Sequence, residues 1–180
     1  MKKVKPPIIS EEMLRSFGLY IAWWSPLEKE FVKCISGLMG ASIYKTLIMT
    51  NYMQWKAKKD LLTRLINTSA APQEKKDKFL DLVNKADNFS NIRRYIAHYV
   101  WTHDKEREGA FIPSFLTIDK DKIIHSTNDN SQRRKKFSYT PDELEQEVAK
   151  MVLLYDELTD FIKDQGFEPI LDEDVEDSAE

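Results

Sequence analysis

Asn91-Ile92-Arg93-Arg94-Tyr95-Ile96-Ala97-His98-Tyr99-Val100-Trp101 places two arginines and a histidine within one or two helical turns of each other. Arginine presents a rigid fork of donors that matches a phosphate, and histidine is the side chain whose ordinary pKa lets it give or take a proton near neutrality. Together they suit phosphodiester chemistry. Ahead of the stretch, Phe79, Val83 and Ala86 recur at helical spacing, so one helix is expected to lead into it and carry through Trp101, with Gly109 and Pro113 as the breakers beyond.

Toward the N-terminus, Pro6-Pro7 makes residues 1–9 an extended arm. Ser10 reads as a cap, Glu11 and Glu12 suit the positive end of a helix, and Met13, Phe17, Ile21, Trp24, Phe31, Ile35 and Leu38 continue as a long first helix. Within it, Ser25-Pro26-Leu27-Glu28 has the form of a capping box with proline at its first helical position, so the helix is expected either to kink near Trp24 or to stop and restart. Gly37 and Gly40 end that segment. A second helix is then expected from about Ser42 to Ile66, its lower half bearing Lys56, Lys58, Lys59 and Arg64 as a solvated face. Asn67 to Gln73 is a polar connection.

Toward the C-terminus, Ser114–Asp119 and Lys122–Ser126 read as short strands around a Lys120-Asp121 turn. Such a hairpin is unstable alone in water and needs helices or another strand against it. The polar loop after it ends in Arg133-Arg134-Lys135-Lys136, a solvated charge run that would grip a phosphate backbone only beside a phosphate-handling centre. Thr140-Pro141-Asp142-Glu143 is a second capping box. It opens a helix whose stripe, Leu144, Val148, Met151, Tyr155, Leu158 and Ile162, is core or dimer seam, with Gly166 as its stop.

The 180 residues suffice for one sizeable core, and with five glycines and abundant helix formers they favour an all-α helical bundle over 10–166 with a small β-hairpin, at about 114–126, inserted before the last helix. Cys34 is the single cysteine, which excludes an internal disulfide and suits a reducing cytoplasm. No apolar run is long enough for a bilayer, so no membrane association is expected. There is no glycine-rich phosphate loop, no GxSxG elbow and no paired-cysteine zinc pattern, and neither a metal nor another cofactor is expected. The net charge of -3 hides an asymmetry, because residues 167–180 form a tail with seven acids and no base, expected to be solvated and disordered. Without it, 27 basic residues face the remaining 23 of 30 acids, a balance that could attract a polyanion.

Arg93, four intervening residues and His98, followed by Trp101, resemble the Arg-x4-6-His signature of the HEPN (higher eukaryotes and prokaryotes nucleotide-binding) superfamily, whose members often carry a version close to Arg-Asn-x-x-Ala-His. The surroundings are similar too: an aromatic and acidic cluster on the first helix (Trp23, Trp24, Glu28), the motif after the third helix, then a hairpin and a capped final helix. In order of elements the resemblance covers most of residues 10–166. It implies a dimerising helical bundle that brings two motifs into one cleft. It often implies metal-independent RNA cleavage to a cyclic phosphate, in a prokaryotic toxin or antiphage defence effector held in check by an antitoxin or another partner protein. Arg93 and His98 would then be catalytic, Arg94, Tyr95 and Glu28 supporting, and Arg133 to Lys136 RNA-binding.

Two positions depart from the family pattern. Arg94 stands where a small polar residue is usual, and Val100 where some toxin members carry a tyrosine. Helical geometry adds a constraint, since Arg93 and His98 lie roughly 140° apart on a regular helix whereas Arg94 and His98 share a face. Either the helix is irregular, or a dimer supplies the partner, or Arg94 is the functional cation. Two plainer readings stand beside these. One is a buried histidine with Arg93 or Arg94 paired to Glu28; the other is a catalytically inactive HEPN-like module that binds RNA, nucleotide or a protein partner.

Overall fold

The computed structural model describes residues 9–119, 122–126 and 137–165, with backbone alone over 115–119 and 122–126. The arm over 1–8, the Lys120-Asp121 turn, the basic run at 133–136 and the acidic tail lie outside the described residues. Among those described, five helices and three strands follow in order: α1 (Glu11–Met39), α2 (Ile43–Thr50), α3 (Trp55–Thr68), α4 (Gln73–His98), β1 (Val100–His103), β2 (Phe111–Asp119), β3 (Lys122–Ser126) and α5 (Pro141–Gln165). The fold is mostly α, with its small β element ahead of the last helix. No helix among the described residues is long and apolar enough to cross a membrane. The chain divides into two compact units, Met1–Ala22 with Asn91–Ala149 and Trp23–Ser90 with Lys150–Glu180, and α1, α4 and α5 each contribute to both.

In the first unit, Ser10 caps α1 as expected, its hydroxyl accepting from the Met13 amide at 3.2 Å. The buried Ser16 hydroxyl lies 3.0 Å from the Glu12 carbonyl and 3.4 Å from Glu145 on α5. The helix carrying the central stretch ends earlier than its apolar spacing predicts. α4 stops at His98, and Val100–His103 is a strand, because Tyr99-Val100-Trp101-Thr102 is a run of aromatic and β-branched residues that fit a pleated surface better than a helix. Trp101 is wholly buried, with its ring centroid 4.8 Å from that of Phe17 and its indole N–H donating to the Tyr95 carbonyl at 3.1 Å.

The extra strand gives the hairpin its partner. β1 pairs antiparallel with β2 in the register Val100↔Ser114 to His103↔Phe111, and β2 pairs with β3 from Phe115↔Ser126 to Asp119↔Lys122, in the order β1-β2-β3. The β1–β2 connection is closed by an Asp104 side chain that accepts from the Glu106 amide at 3.0 Å, and by Gly109, whose φ of 70° is left-handed backbone that favours glycine. Ser138 donates to Asp104 at 2.6 Å, and Arg107 bonds both the Ser138 carbonyl, at 2.8 Å, and Glu143. The Thr140 capping box is reciprocal: the Thr140 amide donates to Glu143 at 2.9 Å and the Glu143 amide to the Thr140 hydroxyl at 3.3 Å.

In the second unit, α1 runs unbroken through Pro26, so the helix does not stop and restart there. The capping box at Ser25 to Glu28 does not form, because the Glu28 carboxylate is occupied by Trp24 and Lys58 instead. A mid-helix proline costs about 3 kcal/mol, a cost offset here by a buried face of Trp24, Leu27, Phe31 and Ile35 on either side of it. Trp55 packs edge-on against both Trp24 and Phe31 at 5.2 Å, and Phe79 stacks on Phe161 at 5.6 Å. α1 ends as its glycines predict, in a Schellman arrangement. Gly40, with φ of 60°, donates to the Gly37 carbonyl, and Ala41 donates to that of Ser36.

The single second helix expected from Ser42 to Ile66 is two helices. Its apolar spacing is interrupted at Asn51–Gln54, where the Met53 amide turns back to the Thr50 carbonyl and Gln54 is extended ahead of α3. Within α5, Leu144, Met151, Leu158 and Ile162 are buried as core, with Leu154 and Phe161 widening the stripe.

Burial raises the Glu143 carboxyl, but bonds from Arg107 and from Thr140 outweigh it and hold the group below the usual carboxylate range. A carboxyl depressed in the folded state contributes stability above its unfolded pKa and loses it as the pH falls through the folded value. Thr140→Ala should lower unfolding free energy by about 1 kcal/mol at pH 7. The destabilisation caused by Glu143→Gln should shrink as the pH is lowered through the carboxylate range, both read by urea denaturation.

Candidate functional site

The last two turns of α4 hold the candidate motif, in the first unit. Ile92 and Tyr95 are buried, Arg93 is half-buried, and Arg94, Ala97 and His98 are exposed. Since α4 is unbroken α-helix through His98, the irregular-helix alternative falls, and Arg93 and His98 remain roughly 140° apart about its axis. Arg94 and His98, one turn apart, share the solvent face. The sequence motif thus separates into two parts, with an exposed Arg94/His98 pair on one side and Arg93 turned partly inward.

Each neighbour has an identifiable job. Tyr95 packs its ring 5.1 Å from Tyr99 and 4.3 Å from Phe137, and the Arg94 guanidinium lies 5.3 Å over the Tyr95 ring. This contact fixes the stem of Arg94 while leaving its donors in water. Arg93 Nε is buried with no hydrogen-bond partner among the described residues, and so is the Ser114 hydroxyl on β2. An unsatisfied buried donor costs about 1–3 kcal/mol. The His103 ring lies tilted against that of Phe111, with centroids 4.4 Å apart, and the residue is part of the β1–β2 pairing.

Elsewhere in this unit, burial above all, then Glu147, pushes the Tyr139 hydroxyl up to about 12 and raises that of Tyr20 further still, so neither phenol serves as a base near neutrality. Among the described residues no three His, Cys, Asp or Glu side chains gather as a metal ion would require.

Glu28 lies in the second unit and is engaged structurally, accepting from the Trp24 indole at 3.1 Å and from Lys58 at 2.8 Å. Lys58 is only 7% exposed, so it is a buried ammonium rather than part of a solvated basic face. Lys59 likewise pairs with Asp87 at 2.9 Å, beside the Trp55 indole, which donates to the other Asp87 oxygen. Nothing in the spacing of the lysines singled these two out. Cys34 is buried, and burial raises its thiol pKa far above the ordinary range, which makes it unreactive. The candidate RNA contacts Arg133, Arg134, Lys135 and Lys136 lie outside the described residues.

Comparison of the chain with protein-family models, with curated proteins and with solved structures finds no match.

Removing Glu28 leaves the Lys58 ammonium uncompensated. Glu28→Ala should therefore cost about 3 kcal/mol of stability in chemical denaturation. Lys58→Met combined with Glu28→Gln should recover most of it, because no charge is then left buried and the glutamine carbonyl can still accept from the Trp24 indole.

Proposed function

We propose that this chain is a metal-independent endoribonuclease of the HEPN type, acting as a homodimer in a prokaryotic toxin or antiphage defence role in the cytoplasm. The observation that carries the reading is Arg94 and His98 side by side on the exposed face of α4, within Arg-Arg-Tyr-Ile-Ala-His. In the proposed reaction the RNA 2'-hydroxyl attacks the adjacent phosphorus as the bond to the 5'-oxygen breaks, leaving a 2',3'-cyclic phosphate and a 5'-hydroxyl. His98 moves a proton between the attacking or leaving oxygen and solvent, and Arg94 neutralises charge gathering on the non-bridging oxygens. Arg93 is assigned to a cleft shared with the motif of a second protomer, where a phosphate oxygen would satisfy a guanidinium donor that has no acceptor in its own chain's described residues. A neutralising antitoxin or defence-system protein is the expected protein partner.

The partial burial of Arg93 also supports a second reading, a catalytically inactive HEPN-like module that holds RNA, nucleotide or a protein partner through Arg94 and the basic run at 133–136.

Purified protein incubated with transfer RNA in EDTA separates the two. Cleavage to cyclic-phosphate ends should persist in the chelator and fall by about 10²-fold or more in His98→Ala and in Arg94→Ala, with Arg93→Ala also impaired. Wild-type rates in Arg94→Ala would remove that residue from the mechanism. Retention of RNA on a filter without cleavage, lost in an Arg93/Arg94 double variant, would favour the binding module.

A further inference from the structure

α2 carries its apolar face outward. Its buried residues are Thr46 and Thr50, whose hydroxyls bond back to the Ser42 and Thr46 carbonyls at 3.0 and 2.8 Å. Facing solvent are Tyr44, Leu47, Ile48, Met49 and, just past the helix, Tyr52, at 61, 38, 77, 43 and 93% exposure. At ~200 Å² for a large side chain these amount to on the order of 600 Å², the upper end of the largest apolar patch on an ordinary monomer. No acidic residue occurs between 31 and 59, and Lys45 and Lys56 are exposed and outside any ion pair among the described residues. Lys45 lies on α2 among these side chains and Lys56 follows Tyr52 by four residues, ahead of the exposed Asp60 one turn further on, so the charge nearest the apolar surface in sequence is cationic.

Such a surface calls for an occupant that is both apolar and acidic. A second copy of α2 is disfavoured, since it would bring Lys45 and Lys56 against their own counterparts. The chain itself contains the complementary composition: Phe167, Ile170, Leu171 and Val175 interleaved with Glu168, Asp172, Glu173, Asp174, Glu176 and Asp177. This segment follows in sequence on α5, whose described C-terminal part, from Lys150 to Gln165, belongs to the same compact unit as α2. Ten residues of extended chain reach ~33 Å, about the diameter of a small domain, so length does not forbid the contact.

We propose that residues 167–177 dock on the outward face of α2 in the same chain, their apolar side chains covering Tyr44, Ile48 and Tyr52 and their carboxylates meeting Lys45 and Lys56. The pairing combines apolar burial with screened charge attraction, so salt weakens it.

A nitroxide label on Ser178→Cys in the full-length, ¹⁵N-labelled chain tests this, and the buried Cys34 leaves labelling selective for the new thiol. At low protein concentration the amide signals of residues 43–52 should broaden and then recover when the nitroxide is reduced. The broadening should be lost in Ile48→Asp and, separately, in Leu171→Asp, and weakened by high salt. Undisturbed α2 signals would overturn the proposal. So would broadening seen only when labelled chain is mixed with unlabelled ¹⁵N chain, which would indicate a second copy. Loss of α2 signals only on adding phosphatidylserine vesicles, with no effect from the label, would overturn it in favour of a membrane surface.

Discussion

The bond from the Trp101 indole to the Tyr95 carbonyl fixes the end of α4, and much of the first unit follows from that end. The same carbonyl also receives the Tyr99 amide, at 3.1 Å, so one acceptor of the last helical turn carries two donors. With Trp101 fully buried on Phe17, the chain leaves the helix at His98 in one direction only and is already in β register at Val100 opposite Ser114. From there the sheet order, the Asp104–Arg107 turn and the Phe111↔Tyr139 bridge lead to the first turn of α5. The candidate histidine therefore stands at a boundary between two kinds of backbone, where a side chain projects into water while its flanks are held by buried aromatics. Loops positioned by rigid elements are where chemistry is usually placed, and this junction has that character without being a long loop.

The second unit is organised by aromatic packing along α1. Trp24, Trp55, Phe31, Phe79 and Phe161 meet in succession, and the charged groups beside them, Lys58 with Glu28 and Lys59 with Asp87, satisfy indole donors as well as each other. Large buried rings explain why Pro26 does not divide the helix: the side chains around it contribute more by staying in line than the proline removes. The buried polar groups then specify which rotamers the indoles take, since a wrong one would strand a donor.

Legibility in the sequence followed the physics of each signal. Ser10 and Thr140 were legible because a cap is a local contract between a hydroxyl and an amide three residues on, and Gly40 because only left-handed backbone closes a Schellman turn cheaply. Ser25 offered the same capping-box pattern as Thr140 and failed, because Trp24 and Lys58 claimed its glutamate. The end of α4 was missed although Tyr99-Val100-Trp101-Thr102 held the clue, since helical spacing upstream outweighed a short run of strand formers. The break between α2 and α3 gave no glycine or proline to mark it. Of the candidate site, the helical face shared by Arg94 and His98 followed from periodicity alone, whereas the inward turn of Arg93 and the engagement of Glu28 with Lys58 depend on contacts distant in sequence that no local pattern encodes.

α2 adds little to the second unit by transfer of apolar groups, because what it buries is a pair of threonine hydroxyls already satisfied by their own helix. An eight-residue helix that buries so little apolar surface belongs at the low end of the range of local opening free energies. Its amides would exchange with solvent by brief detachment of that one helix while the aromatic core of the unit stays closed. A short element of this kind can be remodelled by a bound segment at small cost to global stability, which makes it the natural place for this chain to acquire or change a partner.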